Sequence, residues 1–193
     1  MKKAFHHLAC TWLVVLAATP MPVLAENAPG LELKLDIDQD GKTDRAVVIQ
    51  EAGGPADLYI YLNEEKADPA RRPDFVKKGL TEDQVIGLES KGKGSLAVTS
   101  CFGCGASKST EETLTIVYRR GKFLVGGYSR NWDWNQQTSG GVETTLGDCD
   151  INYLTGKGTA SKDLEDGKPV KGKFKPVPLK DWSSDMRPKA CDF

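Results

Sequence analysis

Histidine is almost missing from this chain: there are two in 193 residues, His6 and His7. Both lie in a stretch that reads as a secretory signal peptide, residues 1–25. Lys2 and Lys3 form its basic start, Leu8 to Leu16 is apolar but for Thr11, and Val23-Leu24-Ala25 ends it before Glu26. The exported chain, residues 26–193, is then expected to hold no histidine, which excludes a Ser-His-Asp or Cys-His nucleophile system and any imidazole metal ligand. Long hydrophobic runs are lacking too. The apolar core of the signal is too short to span a bilayer, and no later segment nears the roughly 20 apolar residues required, so no integral membrane segment is expected. Cys10 precedes most of that core, and His7 stands where a lipid-attachment signal wants an aliphatic residue, which argues against an anchor. No phosphate-binding glycine loop is present. An excess of either charge is lacking: 26 basic residues face 27 acidic ones, and the formal net charge of −1 becomes −3 without Lys2 and Lys3, giving no reason to expect nucleic acid or anionic membrane as a partner. The expected location is periplasmic or secreted.

Four cysteines remain after the signal: Cys101, Cys104, Cys149 and Cys191. An even count in an exported chain favours disulfides. Four cysteines allow three pairings. Cys101–Cys104 with Cys149–Cys191 is preferred here, because the second bond would tie the last residues back to the body. A four-cysteine zinc site is the rival, although the second pair is not a close C-x-x-C.

The 168 residues from Glu26 suit one domain. Leu31, Leu33 and Leu35 alternate with polar residues, as in a half-buried strand. Arg45 to Gln50 is β-branched and reads as a second strand. Gly53-Gly54-Pro55 turns the chain into a third, with Leu58, Ile60 and Leu62 alternating with tyrosines. Residues 64–79 read as loop, and residues 80–90 fit either a short helix or a strand. Leu96 to Thr99 is a strand, Thr113 to Tyr118 and Phe123 to Tyr128 flank a turn at residues 119–122, and Ile151 to Thr155 is another strand. The tail from Ser161 looks irregular apart from a short strand at Gly172-Lys173-Phe174. Many short strands between glycine turns predict an all-β fold of antiparallel strands, propeller-blade-like or sandwich-like, in a single domain and without a complete propeller.

The densest cluster of chemistry is Asp36-Ile37-Asp38-Gln39-Asp40-Gly41-Lys42-Thr43-Asp44, with four carboxylates in nine residues. Such crowding is unfavourable unless a cation sits among the oxygens, and Ca²⁺, which takes six to eight oxygen ligands, is the natural one. The acids match the first, third, fifth and ninth positions of an EF-hand loop, with Gly41 at the sixth, but Val47 stands at the twelfth where a glutamate is needed and the flanks read as strands. A D-x-D-x-D-G-x-x-D loop followed by the apolar Ala46-Val47-Val48-Ile49 resembles the FG-GAP and VCBS-like repeats of β-propeller proteins. That resemblance covers residues 31–63 and implies Ca²⁺ held by Asp36, Asp38, Asp40 and Asp44 with the Lys42 carbonyl. Segments around residues 114–125 and 149–158 are similar to exported bacterial proteins of unassigned function.

Two further places invite a reading. Cys101-Phe102-Gly103-Cys104 has redox spacing, but a turn rather than a helix follows it, so a static staple is the simpler expectation. Trp132-Asp133-Trp134-Asn135 places two tryptophans beside groups able to bond sugar hydroxyls; aromatics of this size usually serve packing, and Trp132 and Trp134 remain possible ligand contacts. The lysine-rich tail reads as solvated surface. Together these features lead to the expectation of a non-enzymatic binding module with a structural Ca²⁺ loop, contacting another cell-envelope protein or glycan in an inhibitor, immunity or assembly role. The alternative is an enzyme, either a thiol–disulfide oxidoreductase at the C-x-x-C or a carbohydrate-active protein.

Overall fold

A computed structural model describes residues 30–163 and 166–192. The signal-peptide reading falls outside these residues. The chain is all-β, in two antiparallel sheets that pack as an open sandwich. The first sheet is a four-stranded meander: β1 (Leu31–Leu35), β2 (Asp44–Gln50), β3 (Ala56–Tyr61) and β4 (Phe75–Thr81). After two residues the chain passes into the second sheet with β5 (Gln84–Gly92), followed by β6 (Ser95–Phe102), β7 (Lys108–Arg119), β8 (Lys122–Thr138), β9 (Gly141–Asn152) and β10 (Lys157–Lys162) in spatial order. The two-residue β11 (Lys168–Pro169) pairs with β10, and β12 (Val177–Pro178) pairs with β8. Three 3-10 turns, at Leu179–Asp181, Ser184–Met186 and Lys189–Cys191, complete the described chain. Among the described residues no helix is long and apolar enough to cross a membrane.

Period-two alternation explains the layering. Ala46 and Val48 of β2 and Ala56, Leu58 and Ile60 of β3 face inward; they meet Leu96 and Val98 of β6, Leu114 and Ile116 of β7, and Phe123, Val125 and Tyr128 of β8 in one continuous core. Gln50 stitches the corner where the chain changes sheets. Its side-chain amide donates to the Asp83 carbonyl at 3.0 Å, and its carbonyl oxygen accepts from Val85 N–H at 2.8 Å.

The strands overrun several sequence-based expectations. Residues 64–79 are loop only as far as Asp74, because β4 starts at Phe75, whose inward ring outweighs the polar residues around it. The ambiguous 80–90 segment is strand from Gln84, fixed by pairing with β6. The strand expected at residues 151–155 lies mainly upstream, since the ladder with β8 begins at Gly141 and residues 153–156 turn. Gly172-Lys173-Phe174 is not a strand: the Phe174 ring packs edge-on to Tyr153 at 6.4 Å while its backbone joins no ladder.

Among the described residues β8 is the longest element, and its length creates an overhang. A bulge at Gly126 lets Thr115 pair with Gly127 and Ile116 with Val125. Where β4 stops, at Thr81, the C-terminal turns take over as cover for the inner face of the large sheet. Trp182 packs on Tyr128 with ring centroids 6.2 Å apart, and Cys191 is bonded to Cys149 of β9. Beyond the level of Cys149, β7, β8 and β9 run on toward the β8–β9 turn, where most side chains are exposed.

Candidate functional site

The acidic loop joins β1 to β2 at one end of the sandwich. Asp36, Asp38 and Asp40 converge there, each offering an oxygen within 4.8 Å of the others. Two oxygens on one Ca²⁺ lie at most about 5 Å apart, given Ca–O distances of 2.3–2.6 Å, so this all-oxygen donor set fits a hard divalent cation. The backbone preorganises it. Asp36 accepts from Asp40 N–H and Gly41 N–H, both at 3.0 Å; Asp38 accepts from Asp40 N–H at 3.1 Å; Asp40 accepts from Lys42 N–H at 2.9 Å. Gly41 sits at φ +85°, where an L side chain is strained. Burial, opposed by the Asp40 N–H and reinforced by the carboxylates of Asp44, Asp40 and Asp36, holds Asp38 above the ordinary carboxylate range. A bound cation would relieve that crowding.

Asp44 and Lys42 are placed differently. Asp44 is fully buried, and its two oxygens accept from Ile37 N–H and Asn63 N–H at 2.8 Å each. The structure therefore brings three of the four aspartates together and gives Asp44 to the backbone. Lys42 turns its ammonium toward Asp40, 3.7 Å from Oδ2. Ile37, between two of the acids, is buried in the core and pins the loop. The apolar residue in an otherwise polar run was the available sequence signal for that anchor. The turn between β5 and β6 docks on the same loop: Gln39 Nε2 donates to the Lys93 carbonyl at 3.1 Å, and a Cβ on Gly94 would lie 2.6 Å from the Ile37 carbonyl oxygen. The loop is thus clamped between the two sheets.

At the opposite end lie the C-x-x-C and the tryptophans. Cys101 and Cys104 are bonded, closing a turn after β6. Gly103 adopts φ +66°, and a Cβ there would overlap the Lys108 carbonyl. Asn135 N–H donates to the Ser107 carbonyl at 2.6 Å, fixing this turn to β8. Thr110 pairs with Phe102 on one side and Trp132 on the other, and directly opposed residues share a face, so the rings of Phe102 and Trp132 lie on one side of the sheet. Trp132 is buried, its ring lying over Gly147, where a side chain would overlap it. Trp134 is partly exposed and packs against Trp132 at 5.7 Å, with Lys108 Nζ 3.9 Å from its ring centre. Phe102, held by the disulfide, is 60% exposed. Trp132 is thus packing, whereas Trp134 and Phe102 are surface. Phe102 was missed in the sequence because a lone Phe inside a cysteine motif carries no periodic signal.

The reverse face of this ribbon is polar. Ser109, Glu111, Asn131, Asp133, Asp148 and Ser161 line a cleft of about 460 Å³. Asp133 accepts from the Ser109 hydroxyl, and Asp148 from the Ser161 hydroxyl.

Between the two ends, a charged cluster locks the C-terminal turns. Arg187 reaches Glu112 at 2.8 Å and Asp83 at 3.3 Å, while Arg130 donates to the Cys191 carbonyl at 2.9 Å and lies 3.2 Å from Asp192. Burial, opposed by Arg187, holds Glu112 above the ordinary carboxylate range. Burial, together with the Glu112 carboxyl, pushes the Tyr128 hydroxyl far up as well. Comparison with family models, curated proteins and solved structures finds no match for this chain.

Proposed function

We propose that the exported chain is a non-enzymatic binding module that contacts another cell-envelope protein through the Phe102–Trp134 face, with Ca²⁺ held in the acidic loop at the far end. The observation that carries this reading is two large aromatic side chains exposed on one rigid strand surface. Aromatic anchors dominate protein interfaces. Here a disulfide and a long antiparallel ladder have fixed their backbone before any partner arrives, so little ordering cost remains for binding. Ca²⁺ would be bound by Asp36, Asp38 and Asp40 and would brace the junction of the two sheets. The C-x-x-C serves this reading as a staple: it ends a strand and enters a turn, without the helix N-terminus that lowers the pKa of a redox cysteine. A glycan is the second reading of the partner, favoured by the cleft of hydroxyls, amide and carboxylates on the reverse face.

Capture from envelope extract with the exported chain, set beside a Phe102→Ser/Trp134→Ser variant, tests the surface. A partner held by the wild type and released by the variant supports the reading, and equal capture by both refutes it. A glycan array separates the second reading. Calorimetry with Ca²⁺ tests the loop, where heat is expected for the wild type and none for Asp36→Ala/Asp38→Ala. An insulin-reduction assay that shows activity lost in Cys101→Ser would overturn the non-enzymatic reading.

A further inference from the structure

The end of the sandwich that carries the β7–β8 turn is open. A cavity of about 480 Å³ lies there between the sheets, within the range of small-molecule sites. Its walls are aromatic. Phe75 of β4 lies 4.8 Å from Phe123 of β8, and Tyr118 of β7 lies 4.8 Å from the same ring. Leu62 and Pro178 complete the apolar lining. Phe123 is buried, while Phe75 and Tyr118 are only partly so, which leaves part of the core's own aromatic surface facing the opening.

The charges at the rim do not cancel. Asp74 is already neutralised, since its Oδ2 accepts from Leu62 N–H and from Arg71, both at 2.8 Å. The Lys180 ammonium is taken by Asp181 at 2.8 Å. Lys122 lines the same opening and, among the described residues, has no ion-pair partner. One uncompensated cation over an aromatic pit is complementary to a molecule with an apolar body and one negative end. We infer that this cavity binds a small apolar carboxylate, an aromatic or short acyl acid, with its body between Phe75, Tyr118 and Phe123 and its carboxylate on Lys122.

The inference is independent of the surface at the other end. It is tested by titrating 2-naphthoate into the exported chain, followed by naphthyl fluorescence and by amide-proton NMR, with the neutral 2-naphthamide as control. Saturable naphthoate binding is expected, with resonances moving at residues 121–123 and at Phe75. Affinity should fall about fivefold in Lys122→Ala, the effect of one partly exposed charge contact, while the amide binds both proteins equally. Phe102→Ser/Trp134→Ser should bind naphthoate as the wild type does. Absence of saturation at millimolar naphthoate, equal affinity for wild type and Lys122→Ala, or resonance changes elsewhere would each overturn it.

Discussion

The two halves of the large sheet solve the same problem with different means. Where it faces β2 and β3, its inner side chains are covered by another sheet, and burial of Leu58, Ile60, Leu96 and Ile116 supplies the stability. Where it outruns that partner, the cover is a tail of 3-10 turns with few apolar residues, Leu179 and Trp182 chief among them. Such a tail has little burial with which to offset its ordering entropy, and it is held instead by one disulfide and by the charges of Arg187 and Arg130. A region covered by apolar burial spreads its stability over many contacts, whereas one covered by a pinned tail depends on its pins.

The sharpest way to break this contrast is to remove the disulfide. Cys149→Ser/Cys191→Ser opens a loop of 42 residues of sequence separation and should cost about 4 kcal/mol in chemical denaturation. Hydrogen exchange should rise in β9 and the C-terminal turns more than in β2 and β3. Equal acceleration throughout would mean that the two halves are one cooperative unit. Asp44→Ala probes the covered half. It strands the buried N–H of Ile37 and removes the acceptor of the exposed Asn63's N–H, and should cost about 2 kcal/mol, whereas Asp36→Ala, in a less buried part of the same loop, should cost well under half of that when no Ca²⁺ is present.

Arg187→Ala comes next. It removes a partly exposed guanidinium from a buried carboxylate and should cost about 1–2 kcal/mol. The pH dependence has a fixed sign. Because the folded Glu112 binds its proton more tightly than the unfolded one, its contribution is fully present below the unfolded pKa of about 4.3 and is lost as pH rises through the raised folded value. Glu112→Gln should flatten that part of the stability profile measured by urea titration between pH 4 and 7. The smallest effect on stability, within about 0.5 kcal/mol, is expected for Phe102→Ser at the exposed end; its consequence should appear in partner capture alone.

The fold class was legible because alternation is a local property: Leu58, Ile60 and Leu62 announce an inward face without reference to anything distant. The ends of elements were not legible, since β4 exists through its pairing with β3 and β8 extends to Thr138 through its ladder with β9. The Asp-rich loop was found from its spacing, and three of its acids do converge. The separate duty of Asp44 depends on Asn63, nineteen residues away, which no spacing rule reaches. The aromatic cavity adds Phe75, from the other sheet, to Tyr118 and Phe123, which face each other across the expected hairpin, and nothing in the linear order relates Phe75 to that pair.

β8 changes partners along one of its edges, bonding to β12 at Leu124 and Val125 and to β9 from Gly127 onward. An unpaired row of amides and carbonyls is a template on which a second molecule could add its own backbone. The two residues Val177 and Pro178 close the gap that β9 leaves. During synthesis that gap stays open after β7 and β9 have been made, so protection of this edge of β8 from intermolecular pairing waits for β12.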